Sequence, residues 1–361
     1  MSDELIAAIE APRATRALVG HEGAAQALLD AWRSGRVPHG WLFAGPKGVG
    51  KATLAWRLVR FVMAGGTGDD LDGEGAAARR VAAGSHPDVR LVRRTYNPKP
   101  PHRFRTEVAV DDARALGPFL RQTAAGGGWR AVVVDAADEM NPNAANALLK
   151  LLEEPPPKTL LLLVAHAPGR LLPTIRSRCR RLDLRPLAET QVAQVLALHR
   201  PALDVAEATA LARLAEGAPG RGISLADAGG LALYREMIAL LESLPELDAV
   251  ALHAAGDRFA RANGEGAFRT FTGLLGWWLE GLVRDVAAGT PTPDVVPSEA
   301  ALKARLTAAG DLDRWLEVWD NTRRLTARGD AVNLDRKQVL LGTFFALAAA
   351  ASGSPSVQRA S

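Results

Sequence analysis

"HGWLFAGPKGVGKATLAWRLVRFVMAG", residues 39–65, sets a short apolar run against a glycine-rich turn and then an amphipathic stretch. The run 39–45 reads as a buried strand because it is apolar throughout and ends in glycine. After the turn, Leu54, Leu58, Val59 and Val62 share one helical stripe, and Gly65 and Gly66 stop it. Strand, glycine loop and helix in this order are the context of a phosphate-binding loop. Gly45, Gly48 and Gly50 let the backbone approach phosphate oxygens, and Lys51 supplies a point charge at the helix N-terminus. The bare pattern is only modestly specific, but lysine occurs seven times in the chain and two of the seven fall in this loop. Position 52, where a Ser or Thr hydroxyl would hold magnesium, is Ala52. Thr53 does not substitute, since the next helical residue is turned about 100° away.

Working outward, the loop needs an acidic residue at the end of a later strand to hold the metal through its water shell. "WRAVVVDAADEM" (129–140) supplies it in Asp135. Ring-forming ATPases that hydrolyse place a glutamate directly after this residue to polarise the attacking water, and here that position is Ala136. Asp138 and Glu139 read as loop or helix-start acids pointing elsewhere. ATP or ADP is therefore the candidate ligand, held by Gly45, Gly48, Gly50, Lys51 and Asp135, with an incomplete magnesium site and no efficient turnover by this chain alone.

"NPNAANALLKLLEEPPP" (141–157) is a bounded helix, with Asn141 as cap, Pro142 in the first turn and three prolines as a stop. "TLLLLVAHAP" (159–168) is another apolar strand, and "GRLLPTIRSRCRRLDL" (169–184) leads out of the domain. Apolar strands alternating with helices imply a parallel sheet covered on both faces. Residues 65–85 read as a loop with one short helix, 93–106 as an exposed basic excursion, and 111–124 as a helix that Pro118 bends or breaks. From 187 the pattern is helical only, with Trp277, Trp278, Trp315 and Trp319 at core spacings.

A length of 361 residues permits two or three domains, and 48% hydrophobic with 23% charged residues reads as globular. The formal charge of +4 would suit an acidic partner, but arginine accounts for 37 of the 44 basic residues, a skew that genome composition produces without function. The single cysteine, Cys179, excludes an internal disulfide and a cysteine-rich zinc site. "MSDELIAAIE" has no apolar core, so no signal peptide is expected, and the longest apolar stretch (339–351) is too short to span a bilayer. The expectation is a cytoplasmic protein without a membrane partner.

"GPKGVGKATLA", "NALLKLLEEPP" and "PTIRSRC" occur in this order and spacing in bacterial clamp-loader subunits, and the chain resembles their delta-prime type in DNA polymerase III. The resemblance is strong over 15–230 and fades to helical character and "NLDRKQVL" (333–340) beyond. It implies an α/β AAA+ P-loop module with a parallel sheet (1–186), a small helical lid (187–229), an all-α collar (230–351) and a disordered tail (352–361). It also implies a hetero-pentamer with gamma/tau-type ATPase and delta-type subunits, which opens a sliding clamp and places it on primed DNA. Within it this chain is a rigid, non-catalytic member lending Arg178 of Ser177-Arg178-Cys179 in trans to a neighbour's ATP site. Such fingers are worth about 10³–10⁵ in rate, or roughly 4–7 kcal/mol of barrier. Without the resemblance, Arg176, Arg178, Arg180 and Arg181 would read as a solvated basic run.

Departures matter. Many relatives carry four zinc-binding cysteines after the first helix, and 64–85 has none, so no zinc and no other metal is expected. The lid arginine of active subunits falls at Gly220, with Arg221 one residue on. Val19 and Gly20 fit either an adenine contact or ordinary core, and His39 and Cys179 read as structural. The rival readings are an ATP-hydrolysing motor subunit, another AAA+ DNA-remodelling ATPase, or a DNA-binding module.

Overall fold

The computed structural model describes residues 12–94, 107–108, 110–122, 124, 128–308, 312–332 and 335–352. The expected tail and most of the basic excursion lie outside them. The chain divides into two compact units, residues 1–195 with 216–221, and residues 196–215 with 222–361.

The first unit is built on a five-stranded sheet of order β2-β3-β4-β1-β5: β1 Gly40–Ala44, β2 Val89–Val92, β3 Arg130–Asp135, β4 Thr159–Ala165 and β5 Arg180–Asp183. Every pairing is parallel, with Trp41 opposite Leu162 on one side and Arg180 on the other. Successive side chains point to opposite faces. Trp41, Phe43, Val133, Leu160, Leu162 and Val164 therefore enter one core with α1 (Glu22–Arg33) and α2 (Lys51–Met63). Leu42, Val132, Val134, Leu161 and Leu163 enter the other, with the helix Pro142–Glu153.

Gly65 and Gly66, both at positive φ, close α2, and the Gly66 amide donates back to the Phe61 carbonyl at 2.9 Å. The Gly/Asp-rich stretch that follows carries the expected short helix, Gly75–Ala82. Buried charge fixes its approach. Arg60, 2% exposed, donates to Asp72 at 2.9 Å and to the carbonyls of Arg13 (2.6 Å) and Thr15 (2.8 Å). Arg16 reaches the other oxygen of Asp72 at 2.9 Å.

Two edges differ from the sequence reading. The segment 169–184 does not simply lead away, because its end returns to the sheet as β5, and β2 went unread altogether. Both are outer strands of four residues whose side chains, the buried Val92 apart, are exposed or half-buried, and arginines interrupt any apolar run in each. The 111–124 stretch is broken as expected, into Val110–Arg114 and Leu116–Arg121. Pro118 lies in the first turn of the second piece, where its missing N–H is not needed.

The second unit is helical. Trp278 and Trp315 are each 1% exposed, whereas Trp277 and Trp319 are half-buried. Phe259, Phe271 and Phe344 tie three of its helices together, with ring centroids 5.2 and 6.3 Å apart. Tyr234 donates to the buried Glu299 at 2.8 Å, and Glu299 also accepts the amides of Val295 and Val296. No helix among the described residues is long and apolar enough to cross a membrane.

Candidate nucleotide loop and arginine edge

The two groups of expected site residues sit at opposite ends of the strands of one sheet. In a parallel sheet the C-terminal ends of the strands open onto the crevice where ligands bind. Gly45–Gly50 leave β1 at that end, and Asp135 closes β3 there. Gly45, Gly48 and Gly50 have φ of 145°, 83° and 111°, all in territory that disfavours side chains. A Cβ on Gly45 would stand 2.2 Å from the Leu184 carbonyl oxygen, so strand-end packing as well as φ requires glycine.

Lys51, the first residue of α2, is 2% exposed, and its ammonium donates to the carbonyls of Gly45 (2.7 Å) and Pro46 (2.5 Å). Burial lowers its pKa to about 8 against the attraction of Asp135 and Asp138. The Asp135 carboxyl moves the other way: burial pushes it above its ordinary range although Lys51 pulls it down. The loop is held from outside too. Gly220 donates its amide to the Gly48 carbonyl at 2.8 Å, and the His21 Nε2 lies 2.9 Å from the Val49 carbonyl oxygen. Arg221 turns to Glu216, 2.6 Å away. Gly20 is close-packed, with a Cβ there 2.5 Å from Leu187.

The chemistry of this loop fits a phosphate group provided Lys51 exchanges its two carbonyls for phosphate oxygens. It does not fit a hydrolytic metal site. Ala52 packs against the apolar core and Ala136 is 5% exposed, and neither side chain can ligate an ion or orient a water. Asp138 is spent on the backbone, accepting the amides of His166 (3.0 Å) and Ala167 (2.7 Å). Glu139 pairs with Arg94 at 2.6 Å.

His166 escaped the sequence reading. It follows β4 directly, at the same end as the loop, and burial, then Lys51, lower its pKa to about 4, so it is neutral at physiological pH. Its Nδ1 is buried with no hydrogen-bond partner among the described residues. The available signal was its place immediately after an all-apolar central strand.

Arg178 stands at the other end, just before β5. Cys179 beside it is 8% exposed and packs in the second core, its thiol pushed up to about 12 by burial. Gly40 allows the close approach, since a Cβ there would meet Leu152 at 2.9 Å and both the Arg178 carbonyl and the Cys179 sulfur at 3.2 Å. The Arg178 side chain is 38% exposed and pairs with Glu153 at 3.0 Å. His39 at this end is structural, its Nε2 3.0 Å from the Leu152 carbonyl oxygen.

Residues 20–188 match the family model described as DNA polymerase III, delta subunit. The delta' subunit of Pseudomonas aeruginosa DNA polymerase III is 44% identical over 146 residues, 39% of this chain and 41% of that protein. Its Escherichia coli counterpart is 32% identical over 235 residues, 63% of this chain and 66% of that protein. The aligned stretches thus span less than two thirds of these relatives' own lengths. Among solved structures, a DNA polymerase III gamma-subunit-related protein from Thermotoga maritima covers 90% of this chain and 99% of its own, at 18% identity and a TM-score of 0.40. The phosphate loop, the helix ending in Glu153 and the Arg178 segment all lie inside the matched residues, and over them this chain is similar to the delta' subunits of DNA polymerase III.

Proposed function

We propose that this chain is a clamp-loader subunit of DNA replication that works on a neighbour's nucleotide rather than its own. It joins gamma/tau-type ATPase and delta-type subunits in a hetero-pentamer that places a sliding clamp on primed DNA. Residues 187–229 act as its lid and 230–351 as its collar. Gly45, Gly48, Gly50, Lys51 and Asp135 retain a phosphate-binding frame for ATP or ADP without the metal chemistry.

The observation that carries this reading is the separation of Arg178 from that frame. Arg178 is level with the start of β1 and the loop with its end, and six residues of extended chain span roughly 20 Å. An arginine side chain cannot cover that distance within its own subunit. It is exposed where an adjacent subunit's phosphates can approach, and a guanidinium there would neutralise charge on the transferring phosphoryl group. The surviving loop, tied to Gly220, His21 and its own lysine, serves as a rigid joint in the meantime.

The two ATPase rivals require turnover by the chain itself. The purified chain should hydrolyse ATP no faster than a Lys51→Ala variant and should not form a homo-hexamer by native mass. Robust Lys51-dependent turnover in a homo-oligomer would replace this proposal with an ATPase motor.

A further inference from the structure

We infer that Glu153 is a positioning residue for Arg178, fixing the guanidinium before a neighbouring subunit arrives. The inference rests on the trans reading of Arg178 and adds to it a residue on another element.

Glu153 is the last residue of the helix Pro142–Glu153. A carboxylate belongs at the other end, because the C-terminal turn already carries partial negative charge. Local preference therefore does not account for it. Its tertiary position does: Glu153 Oε1 accepts from the Arg178 Nη2 at 3.0 Å. The other terminal nitrogen, Nη1, donates to the Thr174 carbonyl at 3.1 Å and lies 3.5 Å from the Ser177 hydroxyl. Both ends of the guanidinium are thus held by the chain, and the remaining N–H groups are left to meet an anion.

The mounts beneath the pair are rigid. Leu152, next to Glu153, is 2% exposed, and Cys179, next to Arg178, is 8% exposed, in one apolar cluster. Gly40 lies between them without room for a methyl group. Pro155, Pro156 and Pro157 end the helix where Glu153 stands. Such an arrangement suits a group that must act in one orientation, since misplacement of a catalytic charge is costly in rate. The ion pair itself is too exposed, at 38% and 43%, to be retained for stability.

The test is ATP turnover of the reconstituted loader, with clamp and primed DNA, in a double-mutant cycle. Glu153→Ala should lower kcat by about two- to fivefold, the range an exposed ion pair can supply. KM for ATP and the melting temperature of the chain should not move. Glu153→Gln keeps an acceptor oxygen and should fall between wild type and alanine. In an Arg178→Ala background the Glu153 substitution should have no further effect. In the free chain, nitrogen-15 NMR should find slowed rotation of the Arg178 guanidinium, released by Glu153→Ala.

If Arg178→Ala is impaired but Glu153→Ala matches or exceeds wild type, Glu153 is a bystander or a competitor and the inference fails while the trans reading stands. An added loss in the Arg178→Ala background would also overturn it, because Glu153 would then act by another route. Unchanged turnover in Arg178→Ala alone would remove the trans reading and this inference with it.

Discussion

Lys51, at the scale of a single residue, spends its charge on the backbone of its own loop. Its ammonium is buried against carbonyl oxygens, and the lowered pKa records the cost of keeping that charge out of water. The folded chain binds the Lys51 proton less tightly than the unfolded chain, so between pH 8 and 10.5 the unfolded state holds more protons. The penalty is fully present below pH 8 and is relieved as pH rises through that window. Lys51→Met should therefore stabilise the chain at pH 7, by up to the order of 3 kcal/mol, with the advantage shrinking towards pH 10. Thermal unfolding of the two proteins across that range checks it, and a gap independent of pH would contradict it. Gly45, Lys51 and Asp135 were legible as residues because loop chemistry is local in sequence. Glu153 and His166 were not, and Gly220 was read only as a lid position, because their contacts depend on which chain ends the fold brings together.

Among the elements, legibility followed position in the sheet. β1, β3 and β4 are the central strands, buried on both faces, and their apolar runs announce them. β2 and β5 lie at the edges, where polar residues are tolerated and periodicity fades. The helix Pro142–Glu153 was readable at both ends, and Asn141 caps it by accepting the Ala144 amide at 2.9 Å. The loop after α2 followed another rule. Its sequence showed only glycine and acid, but Asp72 meets three arginines from two segments, Arg16 before the sheet and the buried Arg57 and Arg60 of α2. Removing one partner of a buried pair strands the other, so Asp72→Ala should cost about 3–5 kcal/mol. Denaturant unfolding measures this directly, and a loss under 1 kcal/mol would show that the loop is held by its apolar contacts instead.

At the scale of the molecule, the two ends of the parallel strands carry different groups. The C-terminal end presents a glycine loop tied down by Gly220 and by its own lysine, and the N-terminal end presents an arginine paired with Glu153. Under the proposed trans role of Arg178, the contribution of such a subunit comes only with assembly. The most direct test is the ATP turnover of the reconstituted loader, with clamp and primed DNA, comparing wild type with Arg178→Ala in this subunit alone and with assembly verified by native mass. The account predicts a loss of at least tenfold in the share of turnover contributed by the neighbouring site, within an intact complex. Unchanged turnover in an intact complex would contradict it and reduce the chain to a scaffold.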